Sequence, residues 1–89
     1  MLHVRIWVSG KVQGVFYRRF IANQAQQLGV KGLVKNLPDG RVYIEAEGTA
    51  EQLKDFEACC QEGSPASVVK QITKQEGSIK GFDVFCINR

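Results

Sequence analysis

Leu2, Val4, Ile6 and Val8 alternate with His3, Arg5 and Trp7 at the start of the chain. A period of two sends alternate side chains to opposite faces of an extended strand, so the apolar set implies one buried face. Gly10-Lys11-Val12-Gln13-Gly14 breaks the alternation, and Ile21, Ala25 and Leu28 then recur at helical spacing until Gly29 offers a stop. Strand, glycine-bounded loop and helix therefore follow one another, with the helix starting near Phe16 or Tyr17.

The remaining elements are predicted on the same grounds. Val30 to Leu37 and Arg41 to Gly48 flank Pro38-Asp39-Gly40 and should pair as a hairpin. Thr49-Ala50-Glu51-Gln52 reads as a capping box, and Leu53, Phe56 and Cys60 form the apolar stripe of a second helix ending at Gly63, Ser64 and Pro65. Ser67 to Lys74 is a fourth strand with a partly broken pattern, and Phe82, Val84 and Cys86 alternate in a short fifth element. With short connections and right-handed crossovers, βαββαβ predicts an α+β fold: the ferredoxin-like α/β sandwich, an antiparallel sheet with two helices on one face.

A chain of 89 residues has room for one core, so residues 1-89 are expected to form a single domain. Hydrophobic residues at 44% and charged residues at 24% exclude a disordered or fibrous chain. No apolar run approaches the ~18 residues of a membrane span, and no signal segment opens the chain, which predicts a soluble, cytoplasmic protein. Cys59 and Cys60 are neighbours and, with Cys86, leave an odd count, which fits reduced thiols. The net charge of +3 favours anionic ligands without demanding nucleic acid.

The two glycines of the first loop permit backbone conformations in which successive N–H groups converge on one anion, and the following helix adds its unpaired N–H groups and positive dipole end. Arg18 falls in that first turn, where a cation opposes the dipole unless an anion lies between them. Its planar fork suits two phosphate oxygens at any working pH. By composition alone, an ordinary βα turn beside a solvated arginine fits as well. A Walker A loop is excluded, because only three residues separate Gly10 from Gly14 and no Lys-Ser or Lys-Thr follows.

The run Gly10-Lys11-Val12-Gln13-Gly14-Val15-Phe16-Tyr17-Arg18 closely resembles the first signature of the acylphosphatases, G-x-V-Q-G-V-x-[FY]-R. Gly32-Leu33-Val34-Lys35-Asn36, followed by Asp39-Gly40-Arg41-Val42 and Gly48, resembles their second, although Leu33 stands where an aromatic residue is usual. The resemblance spans essentially the whole chain. It implies hydrolysis of acyl phosphates, with Arg18 and Asn36 as the catalytic pair and Gln13, Gly14, Val15, Phe16, Tyr17 and Arg18 binding the substrate phosphate. It further implies no metal and no cofactor. The expected partners are a small-molecule acyl phosphate and inorganic phosphate as product or inhibitor, with no nucleic acid, no membrane and a monomeric state.

The chemistry is consistent with so sparse a site. A carboxylate leaving group, whose conjugate acid has a pKa of about 4, needs no proton at neutral pH. Asn36 has an acceptor and donors with which to hold a water, and a phosphate oxygen is the expected proton acceptor.

Other residues are set aside. His3, the only histidine, lies in the polar set of its strand and is expected at the surface. Cys59 and Cys60 lack the arginine six positions on that a cysteine phosphatase needs, Pro65 and Ala66 standing there instead. Lys11, Arg19 and Lys35 are expected to raise the local potential without taking part in catalysis. The alternatives are a non-catalytic phosphate-binding domain and an RNA-binding RRM-like module, whose aromatic strand motif faintly resembles Gly81-Phe82-Asp83-Val84-Phe85, with Trp7 and Tyr43 able to stack a base if exposed.

Overall fold

In a computed structural model, which describes residues 1–88, the alternation at the start of the chain becomes β1 (Leu2–Lys11), with Val4, Ile6 and Val8 buried beneath helices. There follow α1 (Tyr17–Leu28), β2 (Lys31–Asn36), β3 (Val42–Gly48), α2 (Ala50–Glu62), β4 (Val68–Gly77) and β5 (Phe85–Ile87). The sheet order is β4-β1-β3-β2-β5. The first four strands pair antiparallel, while β5 runs parallel to β2 at the far edge. This is the ferredoxin-like α+β fold with a short parallel strand added.

The core lies between the helices and one sheet face. Ile21 and Ala25 of α1 and Leu53, Phe56 and Cys60 of α2 pack on Val34, Val42, Ile44 and Ala46 as well as on the buried residues of β1. The capping box forms as expected, Gln52 N–H donating to the Thr49 hydroxyl while the Gln52 side chain accepts from Thr49 N–H. Phe85 of β5 meets Phe56 edge-on, with centroids 5.8 Å apart, which joins the last strand to the core.

β4 runs beyond Lys74 to Gly77 because β1 offers it partners along its whole length, from Lys11 opposite Val68 to His3 opposite Gly77. Its pattern is broken because an edge position tolerates charge on the covered side, where Lys74 Nζ meets Glu57 of α2 at 2.9 Å. The fifth element begins at Phe85, not Phe82. Gly81 turns with φ 79°, and the N–H groups of Lys80, Gly81 and Phe82 donate to the Glu47 carboxylate instead of to a strand.

That contact also corrects the placement of His3, which is only 3% exposed. The segment from Ser78 to Val84 crosses the sheet face opposite the helices, and there the His3 ring nitrogens meet Glu47 at 2.7 Å and Glu45 at 3.1 Å. Lys80 Nζ reaches Glu45 at 2.8 Å, and Phe82 stacks on the His3 ring. Polarity sends His3 to the outer face of β1, but a later part of the chain closes over that face. Phe82 and Phe85 are both half-buried, packed on the His3 and Phe56 rings respectively. Trp7 and Tyr43 are half-buried against each other, with centroids 5.3 Å apart.

Burial alone would raise the Glu47 carboxyl, but the Lys80 N–H, His3 and the N–H groups of Phe82 and Gly81 outweigh it and hold the group below its ordinary value of 4.5. A carboxyl depressed in the folded state stabilises fully above its unfolded value and loses that stabilisation as pH falls through its folded one. Urea unfolding should therefore show a stability contribution that persists down to about pH 4.5 and fades below it. Glu47→Gln, with Lys31 opposite and His3 and Lys80 left facing a neutral amide, should lower stability at neutral pH by ~1–3 kcal/mol and flatten the acid decline.

Candidate active site

β1 leaves the sheet at a bulge, where its register with β4 shifts between Ser9 and Gly10. Gly10 has φ 129°, and a Cβ there would lie 2.1 Å from the Val68 carbonyl oxygen, so no larger residue lets the two backbones approach this closely. The chain then dips into the core at Val12 and Val15, both buried, with the exposed Gly14 between them at φ 71°. Anchored on either side, the intervening backbone turns outward.

The loop is held by side chains from distant elements. Gln13 Nε2 donates to the carbonyls of Leu37 and Arg41 at 2.8 and 2.9 Å, tying the loop to the hairpin that follows Asn36. From the other side, the buried Ser64 hydroxyl donates to the Val15 carbonyl at 2.9 Å. Tyr17 is buried, and its hydroxyl donates to the Cys60 carbonyl at 2.8 Å. Burial, and then the neighbouring Cys60, push the Tyr17 phenol far above its ordinary value, so it stays neutral.

Phe16 occupies the N-cap of α1 in left-handed geometry, with φ 61° and ψ 21°, and no side chain caps the helix. Among the described residues, the main-chain N–H groups from Gly14 to Arg19 find no protein acceptor. Arg18, half-buried beside them, is paired with no carboxylate among the described residues; its Nη1 donates to the Asn88 carbonyl at 2.9 Å. Across an open cleft of about 710 Å³, Asn36 stands at the end of β2, and its buried Oδ1 has no hydrogen-bond partner. Gly14, Phe16, Arg18, Arg19, Asn36 and Ile87 line that one cleft.

Arg18 and Asn36 are thus brought together as expected. The segment from Gln13 to Arg18 divides more finely than its sequence suggests, since the side chains of Gln13 and Tyr17 and the buried Val15 are committed to bracing. Ser64 and Ile87 escape sequence reading, Ser64 because Gly63-Ser64-Pro65 registers only as a helix stop. Leu33 is opposite Glu45 on the sheet face away from the helices, so the departure from an aromatic falls outside the cleft lining. Cys60 is buried and its thiol is pushed up by that burial, as is that of the half-buried Cys59, which leaves both as packing groups.

Fold and cleft together define an α+β sandwich carrying a cationic, amide-lined loop between its first strand and first helix. The acylphosphatase family profile matches residues 4–87. An acylphosphatase of Archaeoglobus fulgidus is 42% identical over 85 residues, covering 96% of each chain. The crystal structure of acylphosphatase from Bacillus subtilis superposes with a TM-score of 0.97 at 42% identity over 100% of both chains, and a structure of an acylphosphatase from Coxiella burnetii with 0.94 at 31% identity over 98% of this chain and 92% of the other. The chain belongs to the acylphosphatase family of hydrolases. None of the helices among the described residues is long and apolar enough to cross a membrane.

Removing either brace should loosen the loop. Gln13→Ala gives up two hydrogen bonds and Ser64→Ala one. Urea denaturation should show each variant destabilised by ~1–2 kcal/mol, with Gln13→Ala the larger loss.

Proposed function

We propose that this chain hydrolyses the carboxyl–phosphate bond of acyl phosphates to a carboxylate and inorganic phosphate, without a metal ion. Arg18 and the loop amides hold the phosphate while Asn36 places the water. The observation that carries this assignment is the unpartnered, buried Oδ1 of Asn36 in the same cleft as Arg18 and a run of free N–H groups. A buried amide oxygen without a donor is costly, and a bound water would satisfy it.

In the proposed step the Asn36-held water attacks phosphorus, the bond from phosphorus to the acyl oxygen breaks, and its electron pair leaves on the carboxylate. The proton of the water passes to a phosphate oxygen. Because the leaving carboxylate is stable at neutral pH, no general acid is required, and the remaining work is positioning and charge stabilisation. Arg18 supplies charge from a fixed place because the Asn88 carbonyl takes one of its donors and leaves the others for the substrate. The same proposal takes residues 1-89 as one domain acting as a cytoplasmic monomer on a small-molecule substrate.

Initial rates with an aromatic acyl phosphate in excess chelator, corrected for spontaneous breakdown, test this directly. Arg18→Gln should weaken substrate binding and lower turnover at least ~10²-fold, as loss of a preorganised donor does. Near-normal kinetics in that variant would sink the assignment of Arg18. Asn36→Ala should lower turnover while inhibition by inorganic phosphate stays close to that of the native chain, since Asn36 holds water and not phosphate.

A further inference from the structure

We infer that His3 is a proton-operated latch: its ring, charged and clamped between Glu45 and Glu47, holds the strap from Ser78 to Val84 on the sheet and releases it as pH rises. The latch lies on the sheet face away from the helices, and it does not rest on the proposed hydrolysis.

The geometry of the clamp decides the state of the ring. His3 Nδ1 lies 2.7 Å from Glu47 Oε2 and Nε2 lies 3.1 Å from Glu45 Oε1, with all three side chains buried. A neutral imidazole carries a proton on one nitrogen and a lone pair on the other, so one carboxyl would face that lone pair unless it held a proton itself. Neither carboxyl is free to hold one. Both oxygens of Glu47 already accept from main-chain N–H groups, Oε2 from Lys80 and Oε1 from Gly81 and Phe82. At Glu45, burial pushes the carboxyl up, but Lys80, Tyr43 and His3 outweigh it and keep the group below its ordinary value. Both ring nitrogens therefore donate, and the ring is an imidazolium.

The surrounding charges do not replace that proton. On β1, Arg5 leans its guanidinium over Trp7, and its buried Nε has no hydrogen-bond partner. On β2, Lys31 stands opposite Glu47, and on the strap Lys80 Nζ meets Glu45 at 2.8 Å. β4 brings no charge to the ring: Gly77 lies opposite His3, where a Cβ would come within 2.8 Å of the ring, and Glu76 lies on the helix side with Val4 and Lys54. The polar contacts that hold Lys80, Gly81 and Phe82 all end on Glu45 or Glu47, and Phe82 stacks on the His3 ring itself. Loss of the ring proton would set a lone pair against a carboxylate in a closed site, and the carboxylates would turn toward water and abandon the strap. A cation favoured by the folded state stabilises at low pH and loses that contribution as pH rises through its titration, so release falls on the alkaline side. The strap leads directly into β5, beyond which the Asn88 carbonyl accepts from Arg18, so the latch also bears on the support of that arginine.

His3 is the only histidine, so nitrogen NMR of the untagged chain reads its ring without ambiguity. At neutral pH both ring nitrogens should show the protonated signature of an imidazolium, and a single neutral tautomer there would overturn the inference. Hydrogen exchange, corrected for the intrinsic effect of pH on amide rates, then follows the strap. Protection of the Lys80, Gly81 and Phe82 N–H groups and of β5 should fall about tenfold between neutral pH and about pH 9, while that of β3 holds. Glu45→Gln separates charge from structure, because its amide can donate to a neutral ring nitrogen and leaves the acceptors of Glu47 in place. That variant should keep its strap protected across the same range. Protection that stays constant in the native chain as the ring loses its proton, or that falls equally in Glu45→Gln, would overturn the latch.

Discussion

The cleft depends on where β1 lets go of the sheet. Burial of Val4, Ile6 and Val8 fixes the face and register of β1 against β3, since a slip of one residue would move all of these side chains into water. With the register fixed, the bulge at Gly10 falls at one place only, and the close approach to Val68 aims the chain out of the sheet toward α1. The loop, the unpaired N–H groups at the start of the helix and Arg18 inherit their positions from that departure. Asn36 arrives from the other side because β2 ends level with the start of β3, one strand removed from β1.

Bracing side chains and cleft-facing residues alternate within one short segment. Gln13, Val15 and Tyr17 spend their side chains on the hairpin and the core, whereas Gly14, Phe16 and Arg18 face the cleft. An alternation of this kind lets a loop without regular hydrogen bonds stay rigid while presenting its own N–H groups to a ligand. It also explains how so few functional groups would suffice for the proposed reaction. In the proposed reaction the substrate is already activated, so the demand is for fixed geometry and positive potential, which backbone and one guanidinium would supply.

Much of this was legible in the sequence because it is written locally. The period of β1, the glycines of its loop, the capping box at Thr49 and the turn at Pro38-Asp39-Gly40 each declare themselves within a few residues. What remained hidden depends on distant partners. His3 looks like a surface residue until the segment carrying Lys80 and Phe82 closes over it, and Phe82 looks like part of a strand until its N–H is seen donating to Glu47. Gln13 matches a phosphate-loop motif, but nothing in its neighbourhood reveals that its amide is directed to Leu37 and Arg41. The reach of β4 was set by the length of β1, not by its own irregular pattern.

The pairing of β1 with β4 has a kinetic consequence. His3 lies opposite Gly77 and Lys11 opposite Val68, so residues far apart in the chain must find each other before β1 has both its neighbours. Closing so long a span is entropically unfavourable until the contacts it enables are made, and chains dominated by such non-local pairings fold slowly for their size. The helices and the hairpin can form early from nearby residues. The bulge at Gly10 cannot, because its partner Val69 comes from the last third of the chain. The loop after β1 therefore takes its final shape among the last events of folding, and a nascent chain carrying the whole signature segment still lacks the strand that gives that segment its form.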